Sequence, residues 1–220
     1  MPVFNEAGGL RNTLERLHLS DKEELIIVDG GSSDETISIA REFTEKVFQT
    51  RSGRASVMNY GAEKSDGEIL LFLHADCILP DNGFNIIRKT LSDSTISAGA
   101  FYLKIIHPGM GFRIVEAVAN IRHRVTSLFY GDQGIFLKKE IFRKIGGFAD
   151  IPLMEDIEIS RRLKKTGRMV FVRPPINVSP RRWLKEGLIY TTLRDWTISF
   201  SYAFLKVSPA TLIKYYKDVR

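Results

Sequence analysis

Residues 70–77 read "LLFLHADC": four apolar residues, Leu70 to Leu73, and then His74 and Asp76 two positions apart. The run is entered through "SDGEI" and reads as a central strand covered on both faces. In an open α/β sheet the ligand sits beyond the carboxyl ends of such strands. An imidazole and a carboxylate at that point are placed to meet a ligand or a metal. On this stretch alone, a strand-end turn with Asp76 capping the next segment reads equally well.

Working outward, the first half alternates strand-like and helix-like segments. Leu10, Leu14 and Leu17 mark an amphipathic helix, and "ELIIVD" (24–29) a short strand. "DETISIAREFTEKV" places Ile37, Ala40, Phe43 and Val47 at helical spacing, and "SSDE" before it predicts a capping box with Ser32 as N-cap and Glu35 as its partner. "VFQT" predicts a strand and residues 55–64 a helix, which leads into the strand ending at "HAD". Such alternation implies a mainly parallel, mixed sheet with helices on both faces.

Downstream, "AGAFYLKI" (98–105) predicts a strand. A long helix follows, with Ile114, Ala117, Ile121, Val125 and Leu128 on one face. "GIFLKK" predicts a strand, "KEIFRKIGGF" a short helix, and "MEDIEISRRLKKTG" a helix starting near Glu155 and closed by Gly167. "MVFV" (169–172) predicts a last strand, stopped by Pro174–Pro175. The chain divides into a main α/β unit, 1–183, and a helical extension, 184–220. At the front, "PVFNE" begins where a doubly wound fold expects a completed strand, so a first strand starting further upstream is expected.

The chain has 220 residues and is 44% hydrophobic, enough for one sizeable core. One cysteine, Cys77, excludes an internal disulfide framework and fits a reducing, cytoplasmic compartment. No stretch reads as a secretory signal or a membrane span. The net charge of +6 is uneven: residues 180–220 carry eight basic and three acidic side chains, or +5. Nucleic-acid binding would spread basic residues over the main unit, and is not expected. A basic tail points to anionic lipid, to a phosphate-bearing ligand, or to solubility alone.

Three acidic sites stand at predicted strand or helix ends. Asp29 precedes Gly30–Gly31, which let backbone approach a ligand closely. His74–Asp76 is the second. Glu155–Asp156 opens a helix, where the dipole alone favours acids by about 0.3–1 kcal/mol. Their order is more telling than any one of them. "PVFNEAG", "IIVDGGSSDET", "GRASVMNYGAEKSDGEILLFLHAD", "GGF", "MEDIEIS" and "RRW" together closely resemble the family-2 glycosyltransferases of the A-type fold, from residue 2 to about residue 183.

The resemblance implies an inverting transfer of a sugar from a nucleotide-diphosphate donor, a UDP-sugar first, to an acceptor hydroxyl, with Mn²⁺ or Mg²⁺. "HAD" takes the place of the family's Asp-x-Asp metal motif: Asp76 keeps the second acid, and His74 replaces the first. That departure bears on which metal is held, not on where. Pro2, Phe4 and Glu6 fall in the loop lining the nucleotide pocket. Asp29 falls at the nucleobase, and Arg54 and Asn59 at the nucleotide or its ribose. Asp156 matches the catalytic base, with Glu155 shaping the site. "SPRRW" matches the later half of the Gln-x-x-Arg-Trp motif, with Ser179 in place of Gln. Arg182 is then expected at the diphosphate and Trp183 at the acceptor. Asp132 in "YGDQG" is a candidate acceptor contact, against a plain Gly-flanked turn. The compact form also resembles a bacterial subgroup linked to arsenosugar biosynthesis.

Two other classes stay open: a sugar-1-phosphate nucleotidyltransferase, although no Lys or Arg precedes Arg11 to make a basic phosphate loop, and a non-catalytic nucleotide-sugar binder. His18, His107 and His123, the last between Arg122 and Arg124 on a basic face, read as structural or solvated. In the tail, Tyr190, Trp196, Phe200, Tyr202 and Phe204 allow two readings. One is an interfacial helix on the inner face of a membrane, serving a lipid-linked acceptor. The other is a helix packed on the catalytic unit or on the second subunit of a homodimer.

Overall fold

The structure, a computed structural model, describes residues 1–50 and 53–216, without the side chains of His123 and Arg124. The first half is β1 (Pro2–Val3), α1 (Ala7–Glu15), β2 (Ile27–Asp29), α2 (Thr36–Arg41), β3 (Val47–Gln49), α3 (Arg54–Lys64), β4 (Ile69–Phe72), β5 (Cys77–Ile78) and α4 (Gly83–Leu91). The second half is β6 (Ile96–Ile105), α5 (Met110–Thr126), β7 (Ile135–Lys138), α6 (Lys139–Lys144), α7 (Glu155–Leu163), β8 (Arg168–Val178), α8 (Arg181–Glu186), α9 (Leu188–Ala203) and α10 (Pro209–Leu212).

Two sheets form. One is parallel, in the order β1-β2-β3, and the other is mixed, in the order β4-β7-β6-β8-β5. The β6–β8 pair is parallel, while β4–β7, β6–β7 and β5–β8 are antiparallel. Strand β6 is the central one: Ile96 to Phe101 are all buried, as a strand covered on both faces requires. At Gly99 the ring of Phe136 stands 2.2 Å from where a Cβ would be, so only glycine lets the paired strand lay its ring there.

Several expectations change. The "LLFL" strand lies at a sheet edge, not at the centre. Leu70 and Phe72 are buried, Phe72 against Phe148 and Phe142 at 4.8 and 5.1 Å, while Ile69 and Leu71 are half-buried. The free edge of β4 borders a cavity of about 400 Å³, whose opposite wall is Met1, Leu25, Ile26 and Val28. The two sheets therefore face each other across an apolar seam. Strand β8 does not stop at Pro174–Pro175 but runs to Val178. A register shift against β6, between Phe101/Val172 and Leu103/Ile176, takes up the residues that lack a backbone N–H.

The capping box at Ser32 does not form either: α2 starts at Thr36, and its N-cap, Glu35, makes no side-chain cap. Instead the loop is laced to the one after β1. The Asn5 N–H donates to Ser32 Oγ (2.8 Å), the Ser33 N–H to Asn5 Oδ1 (2.9 Å) and the Glu6 N–H to Thr36 Oγ1 (2.7 Å). Val47, placed on that helix by its spacing, is in β3. Helix α7 ends at Leu163, short of Gly167.

Helix α5 turns its predicted apolar face outward. Ile114 is 62% exposed, Ile121 58% and Val125 80%, while Phe112, Val115 and Ala119 face inward. Arg113, Glu116 and Asn120 hold the helix to β6: Asn120 Nδ2 donates to Leu103 O (2.9 Å), and the Leu103 N–H donates back to Asn120 Oδ1 (3.0 Å). In the tail, α9 buries Thr191, Thr192, Ile198 and Ser199 and exposes Ile189, Tyr190, Leu193 and Phe200, with exposed Phe204 just beyond its end. Arg194 clamps Glu186 with two 2.7 Å bonds, and Ile198 packs with Leu153 and Leu212. The tail is thus packed on one side and apolar on its other. Among the described residues no helix is long and apolar enough to cross a membrane.

Candidate active site

A cavity of about 510 Å³ opens at the carboxyl ends of β2 and β4 and is closed over by α5, α7 and the tail. Pro2, Phe4, Glu6, Arg54, His74, Asp76, Asp132, Glu155, Asp156, Arg182 and Trp183 all line it. Residues separated by up to about 180 positions in the chain are therefore brought to one space.

Two expected residues are not among them. Asp29 is fully buried beneath the cavity. Its carboxylate accepts the Gly31 N–H (2.9 Å), the Ser32 N–H (3.0 Å) and the Ser32 hydroxyl, so its acceptor capacity goes to its own turn. Asn59, expected at the nucleotide, ties α3 to the "GGF" loop instead: its Nδ2 donates to Phe148 O (2.8 Å), and the Phe148 N–H donates to its Oδ1 (2.9 Å). Both residues bond within the loops beside the cavity.

Met154 precedes α7 with a left-handed backbone, φ 69°, and itself lines the cavity. That turn sets Glu155 and Asp156 on the cavity wall at the start of α7. Glu155 is buried and lies 3.5 Å from Arg54. Burial raises the Asp156 carboxyl to about 7, and Glu155 adds to this. The N–H groups of Gly131 (2.9 Å) and Ile157 (2.7 Å), together with Arg54, pull the other way. Burial alone would lower Arg54, but Glu155, Tyr216 and Asp156 hold its guanidinium above its ordinary value.

Opposite stands the "HAD" turn. The His74 ring packs against Gly131, where a Cβ would fall 2.6 Å from its Cε1. Asp132, on the same loop as Gly131, is raised to about 6 by burial and by Asp76, against the pull of Arg122 and Arg182. Among the described residues no three His, Cys, Asp or Glu side chains make a complete metal cage. The donor set nevertheless fits a hard divalent cation that draws its remaining ligands from phosphate oxygens. One carboxylate, Asp76, and one imidazole, His74, face the cavity, and nearby Asp132 is destabilised as an anion by its neighbour Asp76.

Among the cavity residues not singled out from sequence, four make specific contacts with other cavity residues. Arg181 donates to Glu6 Oε2 at 2.7 Å, joining the first loop to α8. It is the first Arg of "RRW", and the motif's Arg182 and Trp183 drew attention past it. Tyr216 comes from the tail, its ring 4.6 Å under Arg182. Tyr130 and Arg122 form a stack, with the guanidinium carbon 3.6 Å from the ring centre. Arg122, read as part of a solvated basic face, thus turns inward; the side chains of its neighbours His123 and Arg124 lie outside the described residues. Trp183 donates from Nε1 to Thr192 (3.2 Å), and Arg182 pairs with Asp195 (2.9 Å), so the tail braces both.

A family model described as glycosyl transferase family 2 matches residues 1–146. Glycosyltransferase AglE of Haloferax volcanii is 34% identical over 209 residues, covering 86% of this chain and 68% of that protein. The probable glycosyltransferase YdaM of Bacillus subtilis is 24% identical over 202 residues, 76% of this chain and 46% of its own. Among solved structures, the mannosyltransferase PcManGT from Pyrobaculum calidifontis, in complex with GDP-Man and Mn²⁺, superimposes with a TM-score of 0.69 at 19% identity, over 100% of this chain and 64% of that one. S. aureus TarS with UDP-GlcNAc does so with a TM-score of 0.64 at 13% identity, over 97% and 68%. On its sequence match and its shared architecture, the chain belongs to glycosyl transferase family 2, and it is a glycosyltransferase of the A-type fold.

Proposed function

We propose that this chain transfers a sugar from a nucleoside-diphosphate donor, a UDP-sugar first, to an acceptor hydroxyl with inversion at the anomeric carbon. The observation that carries the reading is Asp156: a carboxyl raised to about 7 at a cavity wall, in the same space as Asp76. A base of that strength is matched to near-neutral pH. Asp156 takes the acceptor's O–H proton as that oxygen attacks the anomeric carbon. The bond from that carbon to the diphosphate oxygen breaks, and its electron pair leaves with the nucleoside diphosphate. A divalent cation held by Asp76 and His74 would neutralise charge on the diphosphate. Arg182, braced by Asp195, adds a fixed positive charge for the same leaving group. Pro2 and Phe4 supply the apolar wall for the nucleoside, and Glu6, pinned by Arg181, sets the loop between them and α1.

Incubation with UDP- and GDP-sugars and Mn²⁺ tests this. Release of the nucleoside diphosphate with an inverted product by proton NMR is expected. Release of pyrophosphate would favour a nucleotidyltransferase, and tight binding without turnover would favour a sugar-nucleotide binder.

A membrane-facing acceptor at the cytoplasmic surface is the finer reading. The exposed apolar rows of α5 and α9 support it, as do exposed Lys185, Lys206 and Lys214 beside them. Flotation with anionic vesicles that weakens as salt rises would bear it out. A stable dimer in solution, with no vesicle binding, would assign those rows to a second copy. The resemblance to the subgroup linked to arsenosugar biosynthesis rests on the motifs alone and leaves the sugar to be identified by the same assay.

A further inference from the structure

Three arginines of the cavity already have a carboxylate. Arg54 is with Glu155 at 3.5 Å, Arg181 with Glu6 at 2.7 Å and Arg182 with Asp195 at 2.9 Å. Arg122 differs from them. It lines the same cavity from α5 and makes no ion pair among the described residues; its Nε, like that of Arg182, is buried with no hydrogen-bond partner. A buried donor left without a partner is costly, more so when charged, and asks for a partner to complete it. The Tyr130 stack at 3.6 Å fixes the plane of the guanidinium but uses none of its N–H groups.

Its position says what it awaits. Tyr130 is followed by Gly131, whose N–H holds the Asp156 carboxylate at 2.9 Å, and then by Asp132. Arg122 therefore stands one short loop away from the base that would receive the acceptor's proton. A planar fork of donors held rigid on a ring matches a phosphate in two-point contact. Building on the transfer reaction proposed above, we propose that Arg122 is the anion-binding residue of the acceptor subsite, and that the acceptor carries a phosphate group beside the hydroxyl that attacks. Such a phosphate belongs either to a lipid or to a soluble metabolite. Met110, Ile114, Ile121 and Val125, exposed along the same helix, would lie against the apolar part of a lipid.

The test loads the full chain with Mg²⁺ and saturating UDP or GDP, so that the donor's phosphate positions are filled, and then titrates inorganic phosphate and glycerol 3-phosphate by calorimetry. The wild type should bind them. Arg122→Gln should weaken that binding at least 10-fold, and Arg122→Lys should retain part of it. Arg168→Gln, an exposed arginine outside the cavity, should leave it unchanged. Melting curves establish that each variant is folded, and the Lys variant carries the test if the Gln variant is not. Equal phosphate affinity in the wild type and Arg122→Gln, or no phosphate binding by the wild type, overturns the proposal. So does a loss in Arg122→Gln of nucleotide affinity alone, which would move Arg122 to the donor. If neither nucleotide binds the wild type, the transfer reading fails, while the phosphate comparison still decides Arg122. Vesicles of phosphatidylcholine with and without phosphatidic acid form the second arm. Arg122-dependent preference for the acidic vesicles indicates a lipid phosphate; binding of glycerol 3-phosphate without it indicates a soluble one.

Discussion

The two ends of the cavity are built on opposite electrostatic terms. Around β1 and β2 each acid is already answered: Asp29 by two backbone N–H groups and a hydroxyl, Glu6 by Arg181, and Asp34 by the Ala7 N–H and Thr36. Around α5 and α7 the answers are incomplete. Asp156 and Asp132 are raised, and Arg122 makes no ion pair among the described residues. The first end is a finished scaffold whose carboxylates hold loops in place. The second end leaves charges unsatisfied until a substrate arrives, and for a catalyst that is where reactivity resides.

The strongest way to break this contrast is at Asp156. Asp156→Asn keeps the size and removes the proton acceptor, so transfer should fall by about 10²–10⁴-fold with donor affinity retained. In the wild type, kcat/KM should rise with pH and level off near 7, where the free Asp156 becomes charged. A flat profile between pH 5 and 8, or a variant that loses donor affinity instead, would put the base elsewhere.

Next is Asp76→Asn. With only His74 left in the turn, metal-dependent nucleotide binding should weaken by about 10–100-fold, the value of one charged contact. Calorimetry with and without Mn²⁺ reads this directly, and an unchanged metal-dependent increment would remove Asp76 from the site. Asp29→Ala sharpens the other half of the comparison. It strands two N–H groups and a hydroxyl in a buried turn and should lower stability by about 1–3 kcal/mol. If Asp29 serves the scaffold, melting should register the change more than nucleotide affinity does; the reverse would return Asp29 to the nucleobase.

The smallest effect is on stability against pH. Asp156 binds its proton more tightly folded, near 7, than unfolded, near 3.8, so the folded state holds more protons between those values. Its contribution should therefore decline as pH rises from about 4 to 7. Urea titrations across that window should show a steeper decline for the wild type than for Asp156→Asn.

Sequence reading reached the site through residues whose chemistry is tied to element ends. "HAD" follows a strand and "ED" opens a helix, and such positions are fixed by local pattern. It missed residues whose role depends on what faces them. Arg122 sits in "NIRHR", and helical spacing alone does not tell a solvated arginine from one stacked on Tyr130. The apolar face of α5 was visible, but which face the core would take was decided by Asn120 and Glu116 bonding to β6. Pro174–Pro175 signalled a strand end because the register shift that accommodates them arises only from pairing with β6. Asp29 and Asn59 bond to the loops beside the site, and a carboxylate or amide at a ligand-side position is indistinguishable, in one dimension, from one that braces such a loop.

The apolar seam has a mechanical meaning. Among the described residues no ladder of hydrogen bonds joins the sheet of β1–β3 to that of β4–β8; α3 and side-chain bonds such as Thr13 Oγ1 to Ala75 O (2.6 Å) join them instead, a softer joint than strand pairing. Yet the active-site cavity is walled by both: Phe4 and Gly30 belong to one side, Asp76 and Asp132 to the other. A nucleotide sugar lying in it would act as a clasp across a hinge. Amide hydrogen exchange along the strand edges that flank the seam should then be faster without ligand than with it.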